Sequence, residues 1–179
     1  MAIPFRDLSI DEDLGFAAYL RFVDEPDSRG MRGALFLVDS KAEPVAFCFS
    51  RISLVSSVLW RAGEARRSAV AKLTMTLFSA VQQQPSLVLA LATEVCPRVF
   101  TEDIAVGIPL CRVGGTSEVQ SGQESIESVD GATHLYWVGD PPAFEHPARR
   151  LLETLQAKQL AFEPFDRVAL GLEEAFAGS

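Results

Sequence analysis

Histidine is scarce in this chain of 179 residues, and its scarcity limits the catalytic chemistry available. The two histidines are His134 and His146, so a Ser-His-Asp or Cys-His site would have to use one of them. His134 begins a strand-like run, and His146 precedes a proline at a helix entry. No GxSxG nucleophile elbow and no GxxxxGK[ST] or GxGxxG phosphate-binding motif is present. We therefore expect both histidines to be structural.

Cysteine is also rare, and its spacing argues against metal or disulfide chemistry. Cys48, Cys96 and Cys111 are an odd number, and none forms a CxxC pair of the kind used in zinc knuckles and dithiol redox sites. Each has apolar neighbours, which predicts small buried side chains in a reducing cytoplasm. Residues 1–14 are rich in acids and lack the apolar core of a secretory signal peptide.

Long apolar runs and excess positive charge are absent as well. The best candidate for a membrane span, residues 73–93, is uncharged but is interrupted by three glutamines and Pro85, so we interpret it as a helix, a turn and a strand. The 24 acidic residues exceed the 16 basic ones, which gives a formal net charge of -8. This charge repels anionic lipid and disfavours nucleic acid as a partner unless a basic patch is present locally. The composition is otherwise typical of a soluble globular protein.

Three short runs near the N-terminus have the composition of strands joined by tight turns. They are residues 15–23, 32–38 and 45–50. Gly, Pro, Asp and Ser residues fill the intervals, which predicts an antiparallel meander. In the third run Phe47 and Phe49 alternate with small residues, a pattern that suits a sheet face covered by a helix. Residues 54–60 are a candidate for a fourth strand.

From Glu64 onward apolar residues recur at intervals of three and four, which predicts an amphipathic helix that Pro85 ends. The next run, residues 87–92 (LVLALA), is apolar at every position. A strand without alternation is usually buried on both faces, so we place this run at the centre of the sheet.

The segments that follow are less regular. Pro97 is suited to open a short helix within residues 96–105. Residues 108–113 (IPLCRV) predict an edge strand, because proline has no N–H to donate to a neighbouring strand. Residues 114–131 are rich in Gly, Ser, Glu and Gln and predict either a mobile loop or a weak polar hairpin around Gly122.

The C-terminal part predicts one more strand, residues 134–138, and two amphipathic helices that open at Pro147 and Pro164. The fold class that results is α/β or α+β in a single domain over residues 1–179. Its mixed sheet begins with the antiparallel meander and is covered by the long central helix and the two C-terminal helices.

The order strand, strand, strand, helix, strand resembles that of a ribonuclease H-like core. Asp39 ends the second run, Glu64 opens the long helix, and Glu94 follows the buried strand. In such a core, carboxylates from the first strand, the first helix and the fourth strand converge on two divalent metals. The resemblance implies an Mg²⁺-dependent nuclease or phosphotransfer site, active or degenerate, at Asp39, Glu64 and Glu94. The alternative is that these acids are ordinary solvated residues at turns.

A basic cluster lies where the last strand-like run meets the long helix. Its members are Trp60, Arg61, Arg66 and Arg67. Arginines beside an exposed tryptophan can contact phosphates and stack a base, and the same residue types are enriched at protein–protein hot spots. The cluster is therefore a candidate binding site for either class of partner; the alternative is that its arginines pair with the surplus acids and Trp60 fills the core.

Missing catalytic motifs favour one function over the others. We predict a non-catalytic protein–protein interaction domain or subunit of a cytoplasmic assembly, without a cofactor, that binds a protein partner or associates with itself. The ribonuclease H-like enzyme with Mg²⁺ is the alternative. A small-molecule pocket near Tyr136 and Trp137 is a third, weaker hypothesis, because no convergent polar groups are visible there.

Overall fold

A computed structural model describes residues 13–26, 29–54, 59–61 and 63–178 of the protein. Within these ranges the chain forms one sheet and three α-helices. The strands are β1 (Ala17–Asp24), β2 (Gly30–Val38), β3 (Pro44–Ser53), β4 (Leu87–Leu91), β5 (Leu110–Gly114), β6 (Glu124–Ser128) and β7 (His134–Val138). The helices are α1 (Glu64–Ala80), α2 (Pro147–Ala157) and α3 (Pro164–Phe176), and a π-helical turn covers Val99–Asp103.

The sheet has the strand order β3-β2-β1-β4-β5-β7-β6. β1 pairs in parallel with β4, and β4 in parallel with β5, whereas the other neighbours are antiparallel. The predicted meander is therefore present as β1, β2 and β3. The apolar hexapeptide supplies β4, whose Leu87 and Leu89 are fully buried in the fourth position of the sheet. The predicted α/β fold class with a mixed sheet is confirmed.

Helices cover both faces of the sheet, because alternate residues of the strands point to opposite sides. On one face Leu20 and Phe22 of β1 pack with Leu73 and Leu77 of α1. On the other face Tyr19 packs with residues of α2 and α3. Among the described residues, no helix combines the length and apolar content that a bilayer crossing requires.

Three local predictions are corrected or fall outside the described residues. The run 108–113 is not an edge strand: β5 lies between β4 and β7, and Pro109 precedes it, so the proline removes no hydrogen bond from the ladder. Residues 114–131 contain an edge strand, β6, whose hairpin partner is β7, so the turn is not at Gly122. The proposed fourth strand, 54–60, lies mostly in residues that the structure does not describe.

The two C-terminal helices begin where their prolines indicate. Pro147 and Pro164 occupy the first turns of α2 and α3, where a missing N–H breaks no helical hydrogen bond. His146 caps α2 by accepting a hydrogen bond from the Ala148 N–H at Nδ1, 3.1 Å away. This contact agrees with the structural role expected for His146.

A buried ion pair joins β5 to the edge strand β6. Arg112 donates to both carboxylate oxygens of Glu124, at 2.7 and 2.9 Å, and their side chains are only 1% and 0% exposed. Arg112 also donates to the carbonyls of Val95 and Val119, at 3.0 and 2.8 Å. The guanidinium therefore holds three separate segments together.

We expect Arg112→Ala to lower the free energy of unfolding by about 3–5 kcal/mol, because it leaves the Glu124 charge buried without a counter-ion. Urea unfolding followed by circular dichroism measures the change. Arg98→Ala is the matched control: its i,i+4 pair with Glu102 is exposed, so the loss there should be below about 1 kcal/mol. Equal losses in the two variants would contradict the assigned role of the buried pair.

A second ion pair fastens α2 to the sheet. Glu127 of β6 accepts two hydrogen bonds of 2.6 Å from Arg149 of α2 and one of 2.9 Å from the indole N–H of buried Trp137. The hydrogen bonds from Arg149 are the largest cause that lowers the pKa of Glu127 below its usual range. A lowered pKa means that the folded state favours the ionised carboxylate.

Glu127 should therefore stabilise the fold above the pKa of an unfolded glutamate, near 4.3, and lose this effect as the pH falls through its lowered folded-state pKa. We expect Glu127→Gln to cost about 1–2 kcal/mol at pH 7 and much less near pH 2. Urea titrations at both pH values give the two differences. Glu153→Gln, which removes a more exposed partner of Arg149, should have the smaller effect at neutral pH. An equal loss of unfolding free energy at both pH values would contradict a stabilising role for the ionised Glu127 carboxylate.

Candidate functional site

One end of the sheet collects most of the charged residues singled out by the sequence. β1 and β4 are parallel, so their carboxyl ends lie at the same end of the sheet. β3 runs antiparallel to β2 and therefore ends there too, and α1 begins nearby. We call the charged residues at this end of the sheet the carboxyl-end cluster: Arg21, Asp24, Arg66 and Glu94.

Glu94 lies in the turn after β4 and is held against β1. Its Oε1 accepts a hydrogen bond of 2.7 Å from Nε of Arg21, and its Oε2 accepts one of 2.8 Å from the Phe22 N–H. The Glu94 side chain is 13% exposed, and burial raises its pKa more than the Phe22 N–H and Arg21 lower it. Both oxygens of this carboxylate are therefore engaged by groups of β1.

Arg66 and Arg21 extend the cluster in two directions. Arg66 of α1 donates to the Asp24 carboxylate at 3.1 Å and also to the backbone carbonyl of Glu94. Arg21 donates through Nη1 to the backbone carbonyl of Phe165, at 2.9 Å, at the start of α3. The two guanidiniums thus tie helices on opposite faces of the sheet to its carboxyl end.

Asp39 lies at the other end of the sheet. It follows Val38, which pairs with Ala17 at the beginning of β1, whereas Glu94 contacts Phe22 near the end of β1. Five residues of strand separate these positions, roughly 17 Å. The Asp39 carboxylate instead accepts the N–H groups of Lys41 and Glu43, at 2.8 and 2.9 Å, which makes it a turn residue.

The structure therefore does not bring together the three acids considered as a metal triad. Glu64, the first residue of α1, is at the same end as Glu94, but Asp39 is not. Within the described ranges, no group of three or more His, Cys, Asp or Glu side chains is placed to hold a metal ion. Because the Glu94 oxygens already bind Arg21 and Phe22, the described residues do not fit a divalent metal centre.

The basic cluster divides into paired and accessible members. Arg66 pairs with Asp24, and Arg67 pairs with Asp103 and Glu102. Arg61 is exposed, and Trp60 retains 39% of its exposed area. The sequence correctly placed these four residues around the start of α1, but it did not show which arginines already have carboxylate partners.

Two adjoining cavities form a groove beside this cluster. The first, about 570 Å³, is lined by residues that include Trp60, Lys72 and Met75. The second, about 580 Å³, is lined by residues that include Cys96, Val119 and Gln120. Both share the same middle wall, formed by Glu64, Arg67, Arg98 and Glu102. We call the two together the Trp60 groove.

Other candidate residues have structural surroundings. Tyr136 and Trp137 are fully buried in the core, so their side chains are not open to a ligand, contrary to the hypothesis of a pocket beside them. Cys111 is buried, Cys48 is partly buried and Cys96 is exposed in the Trp60 groove, which corrects the expectation that all three would be buried. His134 begins β7, as expected for a strand-end residue.

Sequence reasoning missed Arg21. The only signal was a charged side chain in the interior of a strand, AAYLRFVD, whose other charged residue is the terminal Asp24. A charge in a central strand requires a partner, and the partner is Glu94 from the turn after the neighbouring strand.

No known family model matches this chain, and no curated protein matches it in sequence. Among solved structures, endonuclease V from Streptomyces avermitilis is similar with a TM-score of 0.55 at 14% identity, over 90% of this chain and 82% of that one. Endonuclease V from Bacillus subtilis gives 0.46 at 13%, over 78% and 70%. The Argonaute of Marinitoga piezophila, in complex with guide RNA and target DNA, gives 0.38 at 8%, over 85% and 27%.

The similarity to the Streptomyces avermitilis protein shows that this chain has a fold also found in a nuclease. It contradicts the prediction of a non-catalytic protein–protein interaction domain and agrees better with the alternative considered from the sequence. The element order from which that alternative was derived, three strands, a helix and a fourth strand, is present in the structure.

Proposed function

We propose that this protein is a degenerate ribonuclease H-like nuclease that binds single-stranded nucleic acid in the Trp60 groove without a metal centre of its own. The observation that carries the proposal is the ion pair between Arg21 and Glu94 at the carboxyl end of β1 and β4. A ribonuclease H-like core collects carboxylates at this position, and here a guanidinium takes up the carboxylate.

Base stacking on Trp60 is the first part of the binding model. Trp60 is partly exposed and lies at one end of the groove, with the exposed side chain of Met75 beside the same cavity. An aromatic face accepts any base, and stacking contributes about 1–3 kcal/mol per base. An unpaired strand offers such faces, whereas a duplex hides them between neighbouring bases.

Phosphate contacts are the second part. Lys72 and Arg98 line the groove, and Arg61 adjoins Trp60 in the chain. All three are exposed, and the pair of Arg98 with Glu102 is itself open to solvent and weak, so a phosphate can take the place of that carboxylate. Arg66 and Arg67 are paired with acids, so we assign them the role of positioning the groove wall.

The net charge of -8 limits the strength of this binding. Acids that pair with arginines in the groove are already neutralised locally. The accessible cations therefore do not have to offset repulsion between these acids and the phosphates of the ligand. We therefore propose weak, salt-sensitive binding through few phosphates, by a protein of the cytoplasm, where nucleic acid is accessible.

Binding should depend on Trp60 and on the salt concentration. We expect a fluorescently labelled single-stranded oligonucleotide to bind with a slope of log K against log salt of about -2, as three neutralised phosphates predict. Trp60→Ala should raise the Kd about tenfold through lost stacking. Fluorescence anisotropy measures both quantities.

Two control variants make the test specific. Phe144→Ala removes an exposed aromatic ring that does not line the groove, and it should leave the Kd unchanged. Arg61→Glu should weaken binding more than Arg150→Glu, although both change the net charge equally. A Kd that responds to all four variants alike, or no binding at low salt, would reject the groove.

Cleavage is the separate arm of the experiment. The wild-type protein should bind the oligonucleotide but leave it intact in millimolar Mg²⁺ or Mn²⁺. Metal-dependent cleavage that persists in a highly purified sample would show that the site is active and not degenerate. Asp39→Asn is an informative variant here, because its turn position predicts no effect on any such cleavage.

A further inference from the structure

We propose that the Arg21 guanidinium occupies the place of a divalent cation, so that replacing it with a carboxylate would create a metal site with Glu94. This inference rests on the proposed function, because it names the cause of the degeneracy. Neither the strand position nor the burial of Arg21 by itself specifies this role as a substitute for a divalent cation.

The atoms around the guanidinium are those that a hard cation binds. Arg21 donates to a carboxylate oxygen of Glu94 at 2.7 Å and to the carbonyl oxygen of Phe165 at 2.9 Å. Carboxylate and carbonyl oxygens are also the protein ligands of Mg²⁺, Mn²⁺ and Ca²⁺. The site thus already presents oxygen ligands toward one positive charge.

Glu94 is fixed next to residue 21 independently of Arg21. Its second oxygen accepts the N–H of Phe22, the next residue along β1, at 2.8 Å. A short carboxylate side chain at position 21 would start from the adjacent Cα and would therefore lie beside the Glu94 carboxylate. Two neighbouring carboxylates repel each other and bind a divalent ion in compensation.

The burial of the pair indicates that one cation is required at this place. The side chains of Arg21 and Glu94 are only 17% and 13% exposed. A carboxylate at this depth needs a positive partner or protonation, and removing the partner alone is costly. The protein satisfies this need with a covalently attached charge and has no requirement for a dissolved ion.

The test is Arg21→Asp, with the metal alone as the probe. Wild-type protein should bind no Mn²⁺ at Glu94, whereas Arg21→Asp should bind one Mn²⁺, counted by electron paramagnetic resonance of the free ion. Saturating Mn²⁺ should also raise the Tm of this variant by about 5 °C, because an ion that binds only the folded state stabilises that state.

Two further variants locate the site and protect the test against misfolding. Arg21→Asp combined with Glu94→Gln should lose both the bound Mn²⁺ and the Tm increase. Arg21→Gln removes the cation without adding a negative charge and leaves Glu94 able to bind; it should show weaker Mn²⁺ binding that is abolished by Glu94→Gln. If Arg21→Asp fails to fold, Arg21→Gln carries the test.

The inference is overturned if wild-type protein binds Mn²⁺ in a manner lost on Glu94→Gln, or if folded Arg21 variants bind none. Neither measurement uses an oligonucleotide. Failure of nucleic-acid binding in the wild type would therefore reject the proposed function while the Mn²⁺ result stands, and an absent Mn²⁺ site would leave the Trp60 groove unaffected.

Discussion

The parallel pairing of β1 with β4 is the constraint on which the rest of the structure depends. It brings the carboxyl ends of two central strands to the same end of the sheet. It also places Glu94, in the turn after β4, against the backbone of β1. A buried carboxylate at such a position must have a cation near it. Arg21 supplies that cation from within the sheet, and its second contact, with Phe165, fixes the start of α3 at the same end.

Much of the fold was predictable because its signals are local. Short apolar runs separated by turn residues predicted β1 to β3, and the uniformly apolar run around Leu89 predicted the central strand. The prolines at 147 and 164 marked the first turns of two helices. The error at β5 had a physical cause: Pro109 lies just outside the ladder, so a proline that suggested an edge strand does not prevent an interior one. β6 was predicted only within a polar hairpin around Gly122, as an alternative to a mobile loop, because an edge strand with one solvent-facing side is largely polar.

The site was less predictable, because it depends on strand order and on which charges meet. Element order alone suggested Asp39 as a partner of Glu94, but β2 is antiparallel to β1 and carries Asp39 to the opposite end. The sequence identified Trp60 and Arg61 as members of a basic cluster but not as its accessible members, and the pairing of Arg67 with Asp103 joins residues far apart in the chain. No local pattern contains that information.

The buried Arg112 guanidinium has a consequence for the two sides of the Trp60 groove. By holding the Val119 carbonyl and, through Glu124, the Ser121 N–H, it fixes the segment that forms one wall. The entropic cost of ordering that wall is incurred when the protein folds, so ligand binding does not have to order it. A nucleic-acid strand that enters the groove as proposed would meet a preorganised surface on that side, so differences in affinity among ligands should arise mainly at the tryptophan end, where Trp60 and Met75 are exposed.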